Sequence, residues 1–236
     1  MSFIDFNAIV RSAWVAYDSS RELLHIEDIS AKVSTNHVYR MILSDKTSIV
    51  AKLSYFGRYE HFVEDHSIIN SLSNNLPNPF EDVLSRSLMK GNGLFVYRHK
   101  KEPADVWVVF YRPIKTRHKL PKRLDEKQIV KFGNQMGQFH AACEKVRHTL
   151  PSSSKTLMVD IDDLLVHLDT DEGRFEHFMY RDLIREHAEK FKHNFQSLNA
   201  DSLVRIPVFV DWNIGNFSVT KGLRLYSRWD YDWFRV

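Results

Sequence analysis

The chain has 236 residues, 43% hydrophobic, 13% aromatic and 27% charged, enough for one large domain or two lobes when a typical domain holds about 150. Collagen-like and disordered classes are excluded by that balance, and no run of ~18 apolar residues is present to cross a bilayer. Thirty-three Lys and Arg against thirty Asp and Glu give a net charge of only +3, too evenly spread to suggest generic nucleic-acid binding. The single cysteine, Cys143, rules out an intrachain disulfide and a Cys-rich zinc site and fits a cytoplasmic location. The opening MSFIDFNAIVRSAWVAYD is interrupted by Asp5 and Arg11, so no export signal is predicted.

Phe6, Ile9, Val10 and Trp14 fall at helical spacing and predict a first helix. Strand formers then dominate LLHIEDIS, NHVYRMIL and SIVAKLS, with Asp45 and Lys46 turning the chain between the last two, the pattern of an antiparallel meander. A helix is predicted from Tyr59 to Leu72, carrying Phe62, Ile68, Ile69 and Leu72 on one face and ending at the breaker cluster SNNLPNPF. Strands follow near Leu94 to Tyr97 and Val106 to Tyr111.

Beyond Pro113 and Pro121 the periodicity becomes helical. From Asp125 to Arg147 the residues Ile129, Phe132, Gly133, Met136, His140 and Cys143 trace one stripe, predicting a buried central helix whose Gly133 and Gly137 admit a close neighbour. Ile161 to Leu168 and Arg174 to Leu198 are also predicted helical, the second with Ile184, Ala188, Phe191 and Phe195 on one face. After Pro207 come the short strands PVFV, NFSV and LRLYS around the turns WNIG and TKG. The expected class is α+β: a β-rich lobe over residues 1–111 with one helix, then a mainly helical lobe over 112–236 that carries a β-hairpin.

The hairpin gathers oxygen donors. Asp211 and Asn216 bracket the WNIG loop, and Asp230 stands at the far end of the returning strand. One amide and two carboxylates at one end of a hairpin suit an Mg²⁺ ion that keeps waters and binds phosphates. The same residues also fit a turn-capping Asp211, an Asx turn at Asn216 and an Asp230 paired with Arg228. In the first lobe Lys52 interrupts an apolar strand, where an ammonium requires an anionic partner. Glu64 and Asp65 on the following helix are both within reach, and a lysine so held is what phosphate-gripping chemistry needs. A lysine snorkelling at a strand end is the alternative.

Together these segments resemble the aminoglycoside phosphotransferase and choline kinase-like family, which has a two-lobed protein kinase-like fold. VSTNHVYRMIL with SIVAKLS is similar to that family's opening strands, NQMGQFHAACEKV to its "lg-x-x-la-x-lH" helix, and DWNIGN to its "HGDxxxxN" loop, with WDYDW following in place of "iDW-E/D-xa". The likeness runs from about Ser34 to the chain end. It implies an ATP- and Mg²⁺-dependent transfer of the γ-phosphate to a hydroxyl of a small molecule. Lys52 would grip the α- and β-phosphates with Glu64, or alternatively Asp65, as its partner, and Asp211 would act as catalytic base. Asn216 and Asp230 would hold Mg²⁺, the turn Ser34-Thr35-Asn36 would stand in for a glycine-rich loop, and the backbone of Phe110, Tyr111 and on to Pro113 would bind adenine.

Departures from the family pattern are also visible. Phe209 and Val210 replace the His and Gly that precede the catalytic Asp, and the chain ends at Val236, soon after Asp230, so the helical lobe is expected to be cut short relative to the family. A catalytically inactive pseudokinase that binds nucleotide or a partner is therefore the rival expectation. A shortened lobe would leave Trp229, Trp233 and Phe234 on an exposed hairpin face and invite homodimerisation. The run Arg112 to Arg123 is expected to be a solvated loop, or in the sharper reading a docking patch for an anionic acceptor. His140 is expected to be a core residue that hydrogen-bonds the hairpin. No specific nucleic acid or membrane partner is expected.

Overall fold

The computed structural model describes residues 4–30, 36–101, 104–154, 156–176, 179–198, 207–209, 214–229 and 234–235. Helix α1 (Phe6–Tyr17) is started by Asp5, whose carboxylate accepts the Ala8 N–H at 3.0 Å, satisfying an amide that the first turn leaves unpaired. Strands β1 (Leu23–Asp28), β2 (His37–Leu43) and β3 (Ser48–Ser54) form the expected meander, and helix α2 (Tyr59–Asn75) follows. Next come the two-residue strands β4 (Met89–Lys90) and β5 (Gly93–Leu94), then β6 (Val96–Lys101) and β7 (Ala104–Tyr111). The five long strands make one antiparallel sheet in the order β1-β2-β3-β7-β6. Lys46 adopts φ +64° in the β2–β3 turn, where the Asp45 carboxylate accepts the Thr47 N–H at 2.9 Å.

Strand β7 shows why the sheet sits at the centre. Its run DVWVVFY is apolar almost throughout, the pattern of a strand buried on both faces. Val106, Val108 and Phe110 point to one side, where Ile9, Val10 and Trp14 of α1 cover them. Trp107, Val109 and Tyr111 point to the other, into a core shared with Phe62 and Ile69 of α2, Phe139 of helix α3 (Glu126–Lys145) and Phe217 of the hairpin. The second lobe is thus packed directly under the sheet, with α2 between.

Between the lobes lies strand β8 (His118–Lys119). Helix α3 opens with a capping box in which Asp125 accepts the Gln128 N–H at 2.8 Å and Gln128 Oε1 accepts the Asp125 N–H at 3.0 Å. Helices α4 (Leu157–His167), α5 (Asp171–Glu176) and α6 (Arg181–Ser197) follow. Strand β9 (Val208–Phe209) pairs with β12 (Phe234–Arg235), while β10 (Phe217–Val219) and β11 (Leu225–Arg228) form the hairpin and β8 adds to its edge. Among the described residues no helix is long and apolar enough to cross a membrane.

Three expectations change. Helix α3 is buried only through Met136, Phe139, Ala142 and Cys143, while Ile129 and Val130 are 57% and 58% exposed. A Cβ built on Gly133 or Gly137 meets nothing within 4 Å, so these glycines admit no neighbour among the described residues; in the first half of the helix Phe132 alone of the stripe packs on the core, edge-on to Phe217 of the hairpin. The single helix expected from Arg174 to Leu198 is two helices, because the chain folds back so that Arg181 donates to the Leu168 C=O at 2.8 Å and Arg181 and Arg185 both reach Asp169. The basic run keeps its Lys and Arg exposed, as a solvated loop would, but is tethered rather than free: His118 and Lys119 pair with Val219 and Ser218, Ser227 Oγ donates to the Lys115 C=O at 2.7 Å, and the Arg117 guanidinium lies 4.5 Å from the Tyr226 ring centre.

Burial pushes the Cys143 thiol up to about 12, which keeps it protonated and inert in the native state. A thiol reagent at about pH 8 is expected to leave the folded chain unmodified and to label one thiol once denaturant is added. Rapid labelling of the native protein would show that this core opens readily.

Candidate functional site

The sequence places Lys52 on β3 between Ala51 and Leu53, both of which face α1. Alternation therefore turns Lys52 to the opposite side with Val50, above the space between sheet and hairpin. Its side chain is 6% exposed and opposes Val38 of β2 and Val109 of β7. It lines a cavity of about 440 Å³, within the range of roughly 300–1,000 Å³ usual for small-molecule sites. The sheet side of that cavity comes from Ile29, Asn36, Val38, Val50 and Lys52; Tyr111, Pro113 and Ile114 close one end, and Asn216 and Trp229 of the hairpin form the floor.

The floor is positioned by backbone bonds. Asn216 ends a 3-10 turn (Ile214–Asn216), and its C=O accepts the Trp229 N–H at 3.1 Å, which ties the two ends of the hairpin together. Arg228 donates its N–H to the Val83 C=O at 2.8 Å, so the segment after α2 is stitched to the hairpin. The same segment holds the strand end: Leu88 N–H donates to the Phe110 C=O at 2.8 Å, Arg112 N–H donates to the Arg86 C=O at 2.9 Å, and Ser85 Oγ donates to the Arg112 C=O. Ser85 itself lines the cavity. Sequence reasoning missed this wall because residues 80–88 carry neither a helical nor a strand period; the available signal was the Pro77 and Pro79 breakers that end α2 just before it.

Of the expected site residues, the structure brings Asn36, Lys52, Tyr111 and Asn216 around one cavity. Two expectations are corrected. Phe110 is fully buried on the α1 side, stacked in parallel with Phe95 and edge-on to Trp14, and its C=O is taken by Leu88. Strand alternation sends its side chain away from the cavity, so the end wall begins at Tyr111. Glu64 does not hold Lys52. Its carboxylate accepts the Ser154 N–H at 3.0 Å, Ser154 Oγ at 2.7 Å and Ser153 Oγ at 3.3 Å, which fastens α2 to the segment before α4.

Its neighbour Asp65 is the carboxylate that α2 turns inward, 4% exposed. Beside it His66 is fully buried, with Nδ1 hydrogen-bonded to the Tyr111 hydroxyl and its ring edge-on to Phe62 at 4.1 Å. Trp229, expected on an exposed hairpin face, is partly buried against the cavity. Asp211 and Asp230, together with Ser34, Thr35 and Trp233, lie outside the described residues.

Burial, and the Arg228 guanidinium second, hold His140 below its ordinary value of 6.5. The folded state therefore prefers the neutral ring. Its stabilising contribution is fully present above about pH 6.5 and is lost as pH falls toward the lower folded value. Thermal midpoints of the wild type should thus fall on acidification below about pH 6.5 more steeply than those of His140→Gln. Parallel profiles would show that His140 does not supply this dependence.

No protein-family model and no curated protein matches the sequence. Solved structures do. Amicoumacin kinase hAmiN, in complex with AMP-PNP, Ca²⁺ and Ami, superposes with a TM-score of 0.62 at 12% identity, over 98% of this chain and 65% of that one. Aminoglycoside-3'-phosphotransferase of type VIII gives 0.52 at 11% identity, over 97% and 77%. The chain has their two-lobed, protein kinase-like fold. It spans 65% of the length of the amicoumacin kinase chain.

Proposed function

We propose that the chain is an ATP- and Mg²⁺-dependent phosphotransferase acting on a hydroxyl of a small molecule. The observation that carries this reading is the buried Lys52 facing Asn216 across a cavity between sheet and hairpin. A buried ammonium needs anionic company, and a bound nucleotide supplies phosphates where the strand already presents the charge. Asp65 is the helix carboxylate that holds Lys52 in place between turnovers. Tyr111, Pro113 and Ile114 form the wall against which the purine lies.

Asn216 lines the cavity floor, and with Asp230 it would supply an oxygen donor set suited to Mg²⁺. When bound, that ion neutralises charge on the nucleotide phosphates. Asp211 takes the proton from the acceptor hydroxyl as its oxygen bonds to the γ-phosphorus and the bond to the ADP oxygen breaks. Phosphoryl transfer asks the protein for positioning and charge neutralisation, which these side chains supply. The kinase fold and the nucleotide analogue and divalent ion in the amicoumacin kinase structure support this reading.

The test is acceptor-dependent release of ADP from ATP across a panel of hydroxyl-bearing small molecules. Turnover with at least one acceptor is expected, falling about 10²–10⁴-fold in Asp211→Asn. Nucleotide binding without transfer to any acceptor would replace the enzyme with the pseudokinase reading.

A further inference from the structure

A second concavity, of about 380 Å³, opens where β8, the start of α3 and the β10–β11 turn meet, and it shares no lining residue with the Lys52 cavity. Its rim carries Lys119 from β8, Lys127 and Lys131 from successive turns of α3, and Lys221 from the hairpin turn, with His118 alongside. Four ammonium groups from three separate elements thus face one hollow. The only carboxylate in the lining, Asp125, is committed to the capping box and accepts the Gln128 N–H. None of the four lysines takes part in an ion pair among the described residues.

Solvated lysines ordinarily spread apart or pair with i,i+4 acids; here the backbone fixes them together. Lys119 is held by the β8–β10 pairing, with Ser218 as its register partner. Lys221 sits at the tip of a turn closed by Leu223 N–H to the Thr220 C=O at 2.9 Å and Arg224 N–H to Thr220 Oγ1 at 3.2 Å. The turn's own hydrogen bonds do not use the Lys221 and Gly222 amides. A concave surface of one sign focuses potential and concentrates counter-ions, and phosphate is the anion that several lysines match as point charges.

We infer that this hollow binds a compact polyphosphate or multiply phosphorylated small molecule, independently of the nucleotide cavity. A hollow of this size, ringed by four cations and with no Phe, Tyr or Trp in its lining, fits a short cluster of phosphates better than a nucleic-acid strand, whose binding combines a basic groove with stacked bases.

The experiment is calorimetric titration of inorganic triphosphate into the full chain without Mg²⁺ at about 0.1 M salt, in a Lys52→Ala background that silences the nucleotide cavity. Saturable binding is expected there. Adding Lys127→Glu and Lys131→Glu, or Lys221→Glu alone, should weaken it at least tenfold. The matched reversal of two exposed lysines elsewhere, Lys145→Glu with Lys190→Glu, should leave it within twofold. Absence of binding in the Lys52→Ala chain, equal losses in the matched control, or tighter binding of a single-stranded oligonucleotide than of triphosphate would each overturn the assignment.

Discussion

Asp65→Asn is expected to destabilise the chain by about 3–5 kcal/mol, the cost of leaving a buried charge without its counter-charge, and to weaken ATP binding at least tenfold. Glu64→Gln should cost only about 0.5–1.5 kcal/mol, the range of ordinary hydrogen bonds, and leave ATP affinity within twofold. The two carboxylates are adjacent in sequence, yet the helix turns one inward at 4% exposure and the other toward Ser153 and Ser154. Lys52 is 6% exposed on the sheet face against which α2 packs, and the proposed reading makes the inward carboxylate its partner. Chemical denaturation and nucleotide titration of both variants check the pair. Equal losses, or the greater loss in Glu64→Gln, would contradict the assignment of Asp65.

Trp14→Ala should cost about 3–5 kcal/mol, the range for removing a large buried aromatic. Trp14 is 1% exposed, stands edge-on to Phe110 at 5.4 Å and donates its Nε1–H to the Arg21 C=O at 2.8 Å. Its loss opens a cavity under the central strand, and Phe110 directly precedes the Tyr111 that lines the Lys52 cavity. Trp14→Phe, which refills most of the volume, should cost markedly less. A denaturation midpoint in Trp14→Ala close to that of the wild type would show that α1 is dispensable to the sheet.

What the sequence disclosed follows from which interactions are local. The runs SIVAKLS and DVWVVFY announce central strands because both faces are apolar, and Lys52 stands out because a strand core makes an ammonium costly. The hairpin around WNIG and TKG is legible from its turn residues. Partner choice was not legible. Whether Glu64 or Asp65 faces the sheet depends on a rotation of about 100° per residue about the α2 axis, which the apolar positions alone define loosely. Phe110 and Tyr111 are equally apolar, and only the register of β7 against β3 decides which one meets the cavity. The Ser85 wall and the pairing of β8 with β10 arise from long-range hydrogen bonds that leave no periodic trace. The stripe on α3 misled because only Phe132 in its first half reaches the core, edge-on to Phe217, while Ile129 and Gly133 face outward.

The central claim, that the cavity under Lys52 is a nucleotide site, is tested most directly by thermal unfolding during ATP titration with and without Mg²⁺. Wild type, Lys52→Ala and Asn216→Ala are to be compared. A ligand at about 100 times its dissociation constant adds about 2.7 kcal/mol to stability, a shift readily seen in the unfolding midpoint. The account predicts Mg²⁺-dependent stabilisation of the wild type, abolished in Lys52→Ala and stripped of its Mg²⁺ dependence in Asn216→Ala. Equal stabilisation of all three chains, or none of the wild type at any ATP concentration, would contradict it.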